Sequence, residues 1–187
     1  MKKIVFDLDG TLLDSRQRHV ILLNDILNKY KINLQLSDYL IDKRNGINTF
    51  NYLIKKNIDQ NIAKKIKNEW CSKIESLEYL KYDKLYDYAF CLLDEFSNCE
   101  KILLTARCNK ENLYKQIIKL ELDRFFFEVF VVKSDGDAYL KKSKILKELN
   151  ADLFIGDTKS DYFAAKLSNT DFLFMNEGFN SIGYVYG

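Results

Sequence analysis

The stretch that decides the fold reads Ile4-Val5-Phe6-Asp7-Leu8-Asp9-Gly10-Thr11. An apolar run ends here in two carboxylates, and a glycine follows them. Alternate residues of a strand point to opposite faces, so Asp7 and Asp9 can share one site only if the strand ends near Asp7 and the chain turns through Gly10. Carboxylates at the carboxyl end of a buried strand lie where open α/β sheets bind their ligands. We therefore expect the chemistry of the chain at this turn.

Two later apolar runs also end in polar side chains. Residues 153–156 lead into Asp157, with Asp161 four residues further on, and residues 101–104 lead into Thr105. Strands that end in carboxylates can gather three or four acids around one point, where the acids repel one another unless a cation neutralises them. Carboxylate oxygens suit a hard ion such as Mg²⁺ rather than zinc. The sequence thus predicts a magnesium site.

The order of the apolar runs predicts an α/β fold, a doubly wound parallel sheet. Strand-like runs alternate with helix-like segments, which implies right-handed crossovers and helices on both faces of the sheet. The predicted strands are Lys3–Phe6, Lys101–Thr105, Phe126–Val132, Asp152–Gly156 and Phe172–Met175. The predicted helices are Tyr86–Phe96, Lys110–Leu120, Ser143–Leu149 and Asp161–Leu167. The tail, residues 178–187, is expected to be partly irregular.

The segment between the first strand and the rest has a different pattern. Apolar residues at helical spacing predict a small helical bundle over Val20–Tyr30, Ile47–Lys55, Ile62–Trp70 and Ile74–Leu80. We therefore predict a core domain of residues 1–15 and 84–187 and a helical cap domain of residues 16–83. Because this insertion follows the Asp7–Thr11 turn, the bundle can cover the acids as a lid that excludes water. The alternative is an appended bundle that does not contact the site.

Composition excludes several classes of partner. The 29 basic and 27 acidic residues are balanced, which argues against a nucleic-acid or membrane surface and favours a small molecule. Four cysteines without a Cys-x-x-Cys pair, beside a single histidine, indicate reduced thiols rather than zinc ligands or disulfides. The first apolar run breaks at Asp7, unlike a signal peptide, and no segment approaches the roughly 20 apolar residues of a membrane span. We expect a cytoplasmic protein, a monomer or weak dimer.

Four motifs together resemble those of the haloacid dehalogenase-like (HAD) hydrolase superfamily, in residues, order and spacing. They are Asp7-x-Asp9-Gly10-Thr11, Thr105, a lysine near Lys142, and Gly156-Asp157-x-x-x-Asp161. The first and fourth motifs are highly specific, and the resemblance covers nearly the whole chain. It implies a Rossmann-like core with a helical cap, inserted after the first motif, that selects the substrate.

The resemblance also implies catalytic roles. Asp7 looks like the nucleophile that attacks phosphorus to give an aspartyl-phosphate, and Asp9 like the acid that protonates the leaving alcohol and then deprotonates water. Thr105 and the amide of Ala106 would hold the phosphoryl oxygens, while Lys142 neutralises their charge. The implied Mg²⁺ ligands are Asp7, Asp157 and the backbone carbonyl of Asp9, and Asp161 would orient the metal shell directly or through water.

The second aspartate favours phosphoryl transfer, because dehalogenases that resemble this chain lack an acid at the position of Asp9. The resemblance therefore implies a magnesium-dependent phosphatase that acts on a small phosphorylated metabolite. A sugar-phosphate mutase, which would use the same Asp7 and Asp9, is one alternative. A non-catalytic phosphate-binding protein on the same scaffold is the other, although the intact acids argue against it.

Several further residues are candidates for contacts with substrate. Thr11 and Arg107 belong to the motif loops; Arg107 either binds the anion or pairs with a core carboxylate. Arg44 precedes a glycine that can end a cap helix, and it either reads a substrate carboxylate or second phosphate, or lies in solvent. His19 begins the cap and could touch substrate, but a lone histidine beside helical leucines is more often a surface or interface residue. The proline that usually follows the motif lysine is absent, which leaves Lys141 as an alternative to Lys142.

Overall fold

The computed structural model describes all of residues 1–187. Its strands are β1 (Lys3–Phe6), β2 (Leu13–Asp14), β3 (Lys84–Leu85), β4 (Glu100–Ala106), β5 (Glu128–Val132), β6 (Leu153–Gly156) and β7 (Asp171–Phe174). Its α-helices are α1 (Arg16–Lys29), α2 (Tyr39–Arg44), α3 (Thr49–Lys55), α4 (Gln60–Lys73), α5 (Leu77–Leu80), α6 (Ala89–Glu95), α7 (Lys110–Lys119), α8 (Ala138–Leu149), α9 (Lys159–Ser168) and α10 (Ile182–Tyr186). A short 3₁₀ turn covers Asp123–Phe125.

Five strands form one parallel sheet in the order β5-β4-β1-β6-β7. The central strand β1 places Val5 opposite Ile102 of β4 on one side and opposite Phe154 of β6 on the other. The chain therefore leaves β1 in one direction to build β4 and β5 and in the other to build β6 and β7. This arrangement confirms the predicted doubly wound α/β fold class.

Helices cover both faces of the sheet, and the central strand β1 is apolar on both sides. Ile4 and Phe6 belong to a buried cluster with residues of α6 and α7, whereas Val5 belongs to a second cluster with residues of α8 and α9. All three side chains are at most 3% exposed. A strand buried on both faces reads as a continuous apolar run, which is the pattern of residues 4–6.

Helices α1 to α5 surround a third hydrophobic cluster, and we call their segment, residues 16–83, the cap. Its fully buried aromatic residues are Tyr39 and Tyr52, whose ring centroids lie 4.9 Å apart. The two ends of the cap lie side by side, since β2 pairs antiparallel with β3 and matches Leu13 with Leu85. The helices thus form their own core while the chain enters and leaves them at one point.

The structure differs from the sequence-based prediction in its short elements. The sequence did not predict the antiparallel pair of β2 and β3, the helix α2 or the terminal helix α10. Helix α8 begins five residues before the predicted Ser143. Each of these segments is too short or too rich in lysine to carry a clear apolar period. All four cysteines are unpaired, as predicted. None of the helices combines the length and the hydrophobicity needed to cross a bilayer.

Candidate active site

The acids predicted to share a site are brought together at the carboxyl edge of the sheet. Asp7 follows β1, Asp157 follows β6, and Asp161 lies in the first turn of α9. One carboxylate oxygen from each of the three lies within 4.8 Å of the others, and all three side chains are buried. This cluster lies at the carboxyl end of β1, between β4 and β6, where the chain connections leave β1 in opposite directions. Doubly wound sheets bind their ligands in the crevice at this point.

Specific neighbouring residues position two of these carboxylates, Asp161 and Asp157. Thr158 caps α9: its hydroxyl accepts the Asp161 amide at 3.2 Å, while its own amide and hydroxyl donate to Asp161 Oδ2. Gly10 has a φ of +84°, and a Cβ there would lie 2.1 Å from Asp157 Oδ2. Asp157 therefore reaches the first motif only because residue 10 is a glycine in a left-handed conformation.

The lysine of the third motif lies inside the cluster. Lys142 Nζ donates to Asp7 Oδ1 and Asp161 Oδ1, both at 2.7 Å, and the side chain is buried. The neighbouring Lys141 points outward and pairs with Asp135 at 2.6 Å. Of the two candidates that the sequence left open, the structure brings only Lys142 to the acids.

One ammonium does not balance three buried carboxylates. Burial, together with the charges of Asp161 and Asp9, raises the pKa of Asp7 to about 7 even though Lys142 opposes the shift. Burial and the charge of Asp7 also hold the pKa of Asp157 well above its usual range. An all-oxygen donor set with excess negative charge fits a hard divalent cation such as Mg²⁺. Asp7, Asp157 and Asp161 are the side chains that would hold it.

Asp9 has a different environment from the other acids. Its carboxylate accepts Arg107 Nε at 2.6 Å and Nη2 at 2.8 Å, Arg18 Nη2 at 2.6 Å and the Ser15 hydroxyl at 2.6 Å. Burial opposes ionisation, but the two guanidinium groups outweigh it and hold the pKa of Asp9 below its usual range. Arg18 belongs to the cap helix α1 and also lies 3.2 Å from Asp83. Asp9 therefore links core and cap through an ion-pair network.

A cavity of about 450 Å³ opens over the acids between core and cap. Thr105 and Ala106 line it beside Asp7 and Lys142, as expected for groups that hold phosphoryl oxygens. The cap contributes His19, Lys43, Gly46, Ile47 and Asn48, and the segment before α10 contributes Phe179 and Asn180. The inserted bundle thus contacts the site, which disfavours the alternative of a remote appendage.

Three residues expected to bind substrate do not line this cavity. The Thr11 hydroxyl is buried and donates to Asp157 Oδ1 at 3.4 Å, so Thr11 supports a carboxylate. Arg107 is engaged by Asp9, the second of the two expectations for it. Arg44 donates to the carbonyls of Gly178 at 2.7 Å and Asn176 at 2.9 Å. Its guanidinium joins the cap to the core and lies outside this cavity, so its predicted contact with a substrate anion stays a prediction.

Sequence reasoning missed Lys43 and Arg18, and it favoured a surface or interface position for His19 over contact with substrate. Lys43 and His19 line the cavity, although Lys43 had no signal of its own. Arg18 reaches Asp9 from the first turn of α1, where it resembles any polar residue of an exposed helix face. The capping box of Thr158 and Asp161 was the one readable signal left unused, because Thr-x-x-Asp is a helix-start pattern.

Comparison with known proteins agrees with this geometry. A sequence profile for the haloacid dehalogenase-like hydrolases matches residues 4–175. Among curated proteins, no sequence matches the chain closely enough to count as a relative.

Solved structures give the same picture for the fold. A haloacid dehalogenase-like hydrolase from Streptococcus pneumoniae matches with a TM-score of 0.79 at 18% identity, over 99% of this chain and 89% of that one. A predicted phosphatase from Clostridium acetobutylicum matches at 0.72 and 20% identity, over 98% and 88%. A predicted phosphoglycolate phosphatase from Haemophilus somnus matches at 0.74 and 18% identity, over 97% and 88%. At such identities the likeness establishes the fold alone.

Proposed function

Because the chain belongs to the haloacid dehalogenase-like hydrolase family, we propose that it is a magnesium-dependent phosphatase of small phosphomonoesters that works through an aspartyl-phosphate on Asp7. One observation carries the proposal. Asp7, buried at the end of the central strand, belongs to a carboxylate cluster and accepts a hydrogen bond from Lys142. It also lines a cavity that can admit a substrate. This is the arrangement that an activated carboxylate nucleophile needs.

The cation has a defined place in this proposal. Asp7, Asp157 and Asp161 would bind it, with the carbonyl of Asp9 as a further ligand. When bound, Mg²⁺ would polarise the phosphoryl group and offset the repulsion between a phosphate dianion and the attacking carboxylate. Thr158 supports this role, since it fixes the rotamer of Asp161 by donating to Oδ2 and leaves Oδ1 toward the cluster.

Each catalytic residue then has a separate role in the reaction. Asp7 attacks phosphorus, and the bond from phosphorus to the leaving oxygen breaks as the bond to Asp7 forms. Lys142, already 2.7 Å from Asp7, neutralises negative charge on the reacting groups. Thr105 and the amide of Ala106 line the cavity beside Asp7 and would hold the phosphoryl oxygens. Water then attacks the aspartyl-phosphate and returns Asp7 to its starting state.

Asp9 would serve as the acid and then the base, but it must change partners to do so. Two guanidinium groups favour its ionised form, whereas protonating a leaving alcohol needs the neutral form. We propose that Asp9 exchanges between this arginine-bound state and one that faces the substrate. Arg18 lies on the cap, so opening of the cap would remove its contact with Asp9, whereas Arg107 belongs to the core and its contact would be exchanged by rotation of the Asp9 side chain.

The cellular setting is part of the same proposal. Four unpaired cysteines, three of them exposed, suit a reducing compartment, so we place the enzyme in the cytoplasm. We also propose that the cap is a domain distinct from the core and that it selects the substrate. Its separate hydrophobic cluster and its residues in the cavity support this.

The proposal is tested by release of free phosphate across a panel of sugar, nucleotide and short-chain phosphomonoesters, with Mg²⁺ and with excess chelator. We expect magnesium-dependent release from part of the panel by the wild type and none by Asp7→Asn. Isomerisation of a sugar phosphate without net release would identify a mutase instead. Binding of phosphomonoesters without either reaction would identify a non-catalytic protein.

A further inference from the structure

Lys43 is a cation of the cap that has no acidic partner. No carboxylate lies within 4.0 Å of its ammonium, whereas Lys55, Lys56 and Lys73 of the same domain all form ion pairs. Its Nζ is instead surrounded by aromatic rings, 5.3 Å from the centroid of Trp70, 5.5 Å from Tyr39 and 5.9 Å from Phe179. Burial lowers the pKa of Lys43 to about 8, which still leaves it mostly charged near neutral pH.

The residues next to Lys43 do not supply the missing negative charge. His19 packs its ring 5.1 Å from Trp70 and 4.6 Å from Phe179, and its Nδ1 is buried without a hydrogen-bond partner. Burial, together with the charges of Lys43 and Arg18, holds the pKa of His19 well below its usual range, so it is neutral. The cap wall of the cavity therefore presents one positive charge and one unsatisfied polar nitrogen.

A second cavity of about 760 Å³ continues this surface. Lys43 lines both cavities, and Lys64 and Lys67 of α4 line only the second. The one acid there, Asp135, is already paired with Lys141 at 2.6 Å. The path that leads away from the nucleophile is therefore positively charged, which favours an anion and disfavours a neutral or cationic leaving group.

We propose that the leaving group of the substrate carries an anionic substituent, a carboxylate or a second phosphate, which binds the Lys43 ammonium at the junction of the two cavities. The inference rests on the proposed phosphatase function and deepens it by naming the substrate class. Lys43 belongs to the cap, so it contacts the part of the substrate that does not react. It acts on selectivity, whereas Asp7 and Lys142 act on the transferred group.

The test compares substrates that differ by one anionic group. Ethyl phosphate is paired with 2-phosphoglycolate for the carboxylate, and propyl phosphate is paired with propane-1,3-diol bisphosphate for the second phosphate. The wild type should favour the anionic member of at least one pair. Lys43→Met should lower kcat/KM for that member by about tenfold to a hundredfold, the range for a lost hydrogen bond to a charged group, mainly through KM. Lys43→Arg should recover part of the loss.

Two matched variants make the test specific. Lys56→Met removes another cap lysine that lies over an aromatic ring, 5.5 Å from Tyr52, but that lines neither of these cavities. It should leave the preference unchanged. Lys159→Met removes the other lysine of the cavity over the acids that has no acidic partner, and this lysine belongs to the core. A loss of preference in Lys159→Met but not in Lys43→Met would overturn the assignment to Lys43.

Failure of this inference differs from failure of the proposed function. Hydrolysis of ethyl phosphate with no preference for either anionic probe, or equal losses on charged and neutral probes in Lys43→Met, would refute the inference alone. Absence of hydrolysis for every probe and for the whole phosphomonoester panel would refute the proposed function. In that case, titration of 2-phosphoglycolate and ethyl phosphate into the wild type and Lys43→Met by calorimetry still decides whether Lys43 binds the anion.

Discussion

Replacing Gly178 with alanine should damage the metal site through one added methyl group. A Cβ at residue 178 would lie 2.3 Å from both Cβ and Oδ2 of Asp157, and ordinary contact begins at 3.4 Å. Asp157 or the 178 backbone must therefore move by about 1 Å. The same movement disturbs the bond of 2.6 Å that the Phe179 amide donates to Asp157 Oδ2.

The expected cost follows from that displacement. Loss of a group that supports a metal ligand typically weakens affinity or activity by about 10- to 100-fold, and a misplacement of about 1 Å can cost a similar factor in rate. Gly178→Ala should raise the Mg²⁺ concentration for half-maximal phosphate release and lower kcat by about this factor. Backbone strain does not contribute, since the φ of Gly178 is not positive.

A control is available close by. A Cβ added at Gly183, in α10, would meet no atom within 4 Å outside the backbone of its own helix, so Gly183→Ala should retain wild-type activation by Mg²⁺. Circular dichroism and thermal melting establish that both variants are folded. If folded Gly178→Ala matched the wild type in Mg²⁺ activation and kcat, the assignment of Asp157 to the metal site would be wrong.

Three further predictions concern the charges of the site. Phosphate release should require Mg²⁺, stop in chelator and be inhibited by Ca²⁺, whose larger and looser coordination misplaces the nucleophile; full activity in chelator would exclude the metal mechanism. Without metal, the free energy of unfolding measured in urea should fall as pH rises from about 4 to 7. The reason is that the raised pKa of Asp7 lets the folded state bind more protons than the unfolded state in this range. Asp7→Asn should therefore reduce this dependence on pH. Asp9, whose pKa is lowered, is ionised in the folded state throughout and in the unfolded state above about pH 5, so its opposite contribution is confined to the acid end of this range. Stability that rises between about pH 5 and 7 in chelator would contradict the role given to Asp7. Lys142→Ala should reduce kcat on every substrate by roughly 10²- to 10³-fold, whereas Lys141→Ala should not; equal effects would show that Lys142 has no special role.

The sheet and the acid cluster were predictable because both arise from short local patterns. Continuous apolar runs such as residues 4–6 specify strands buried on two faces, and the residue after each run falls at the carboxyl edge whatever the loop geometry. Asp7, Thr105 and Asp157 therefore meet by topology alone. The family profile over residues 4–175 and the structure agree on this part of the molecule.

The cap contacts were not predictable to the same degree. Successive residues of a helix point about 100° apart, so the sequence of α2 does not tell whether Lys43 or Arg44 faces the cavity. Docking on the core decides it: the carbonyls of Asn176 and Gly178 engage Arg44, and Lys43 is left toward the cavity. The partners of Asp9 depend in the same way on how α1 lies against the core, since Arg18 and Arg107 are distant in sequence.

Trapping the phosphoenzyme tests the central claim, that Asp7 is the nucleophile, most directly. The enzyme is mixed with a phosphate-labelled substrate and Mg²⁺, quenched in acid during turnover, digested and sequenced by mass spectrometry. We expect one aspartyl-phosphate on Asp7 in the wild type, slower formation and slower breakdown of it in Asp9→Asn, which lacks both the general acid and the general base, and none in Asp7→Asn. Label on another residue, or a phosphoenzyme formed normally by Asp7→Asn, would contradict it.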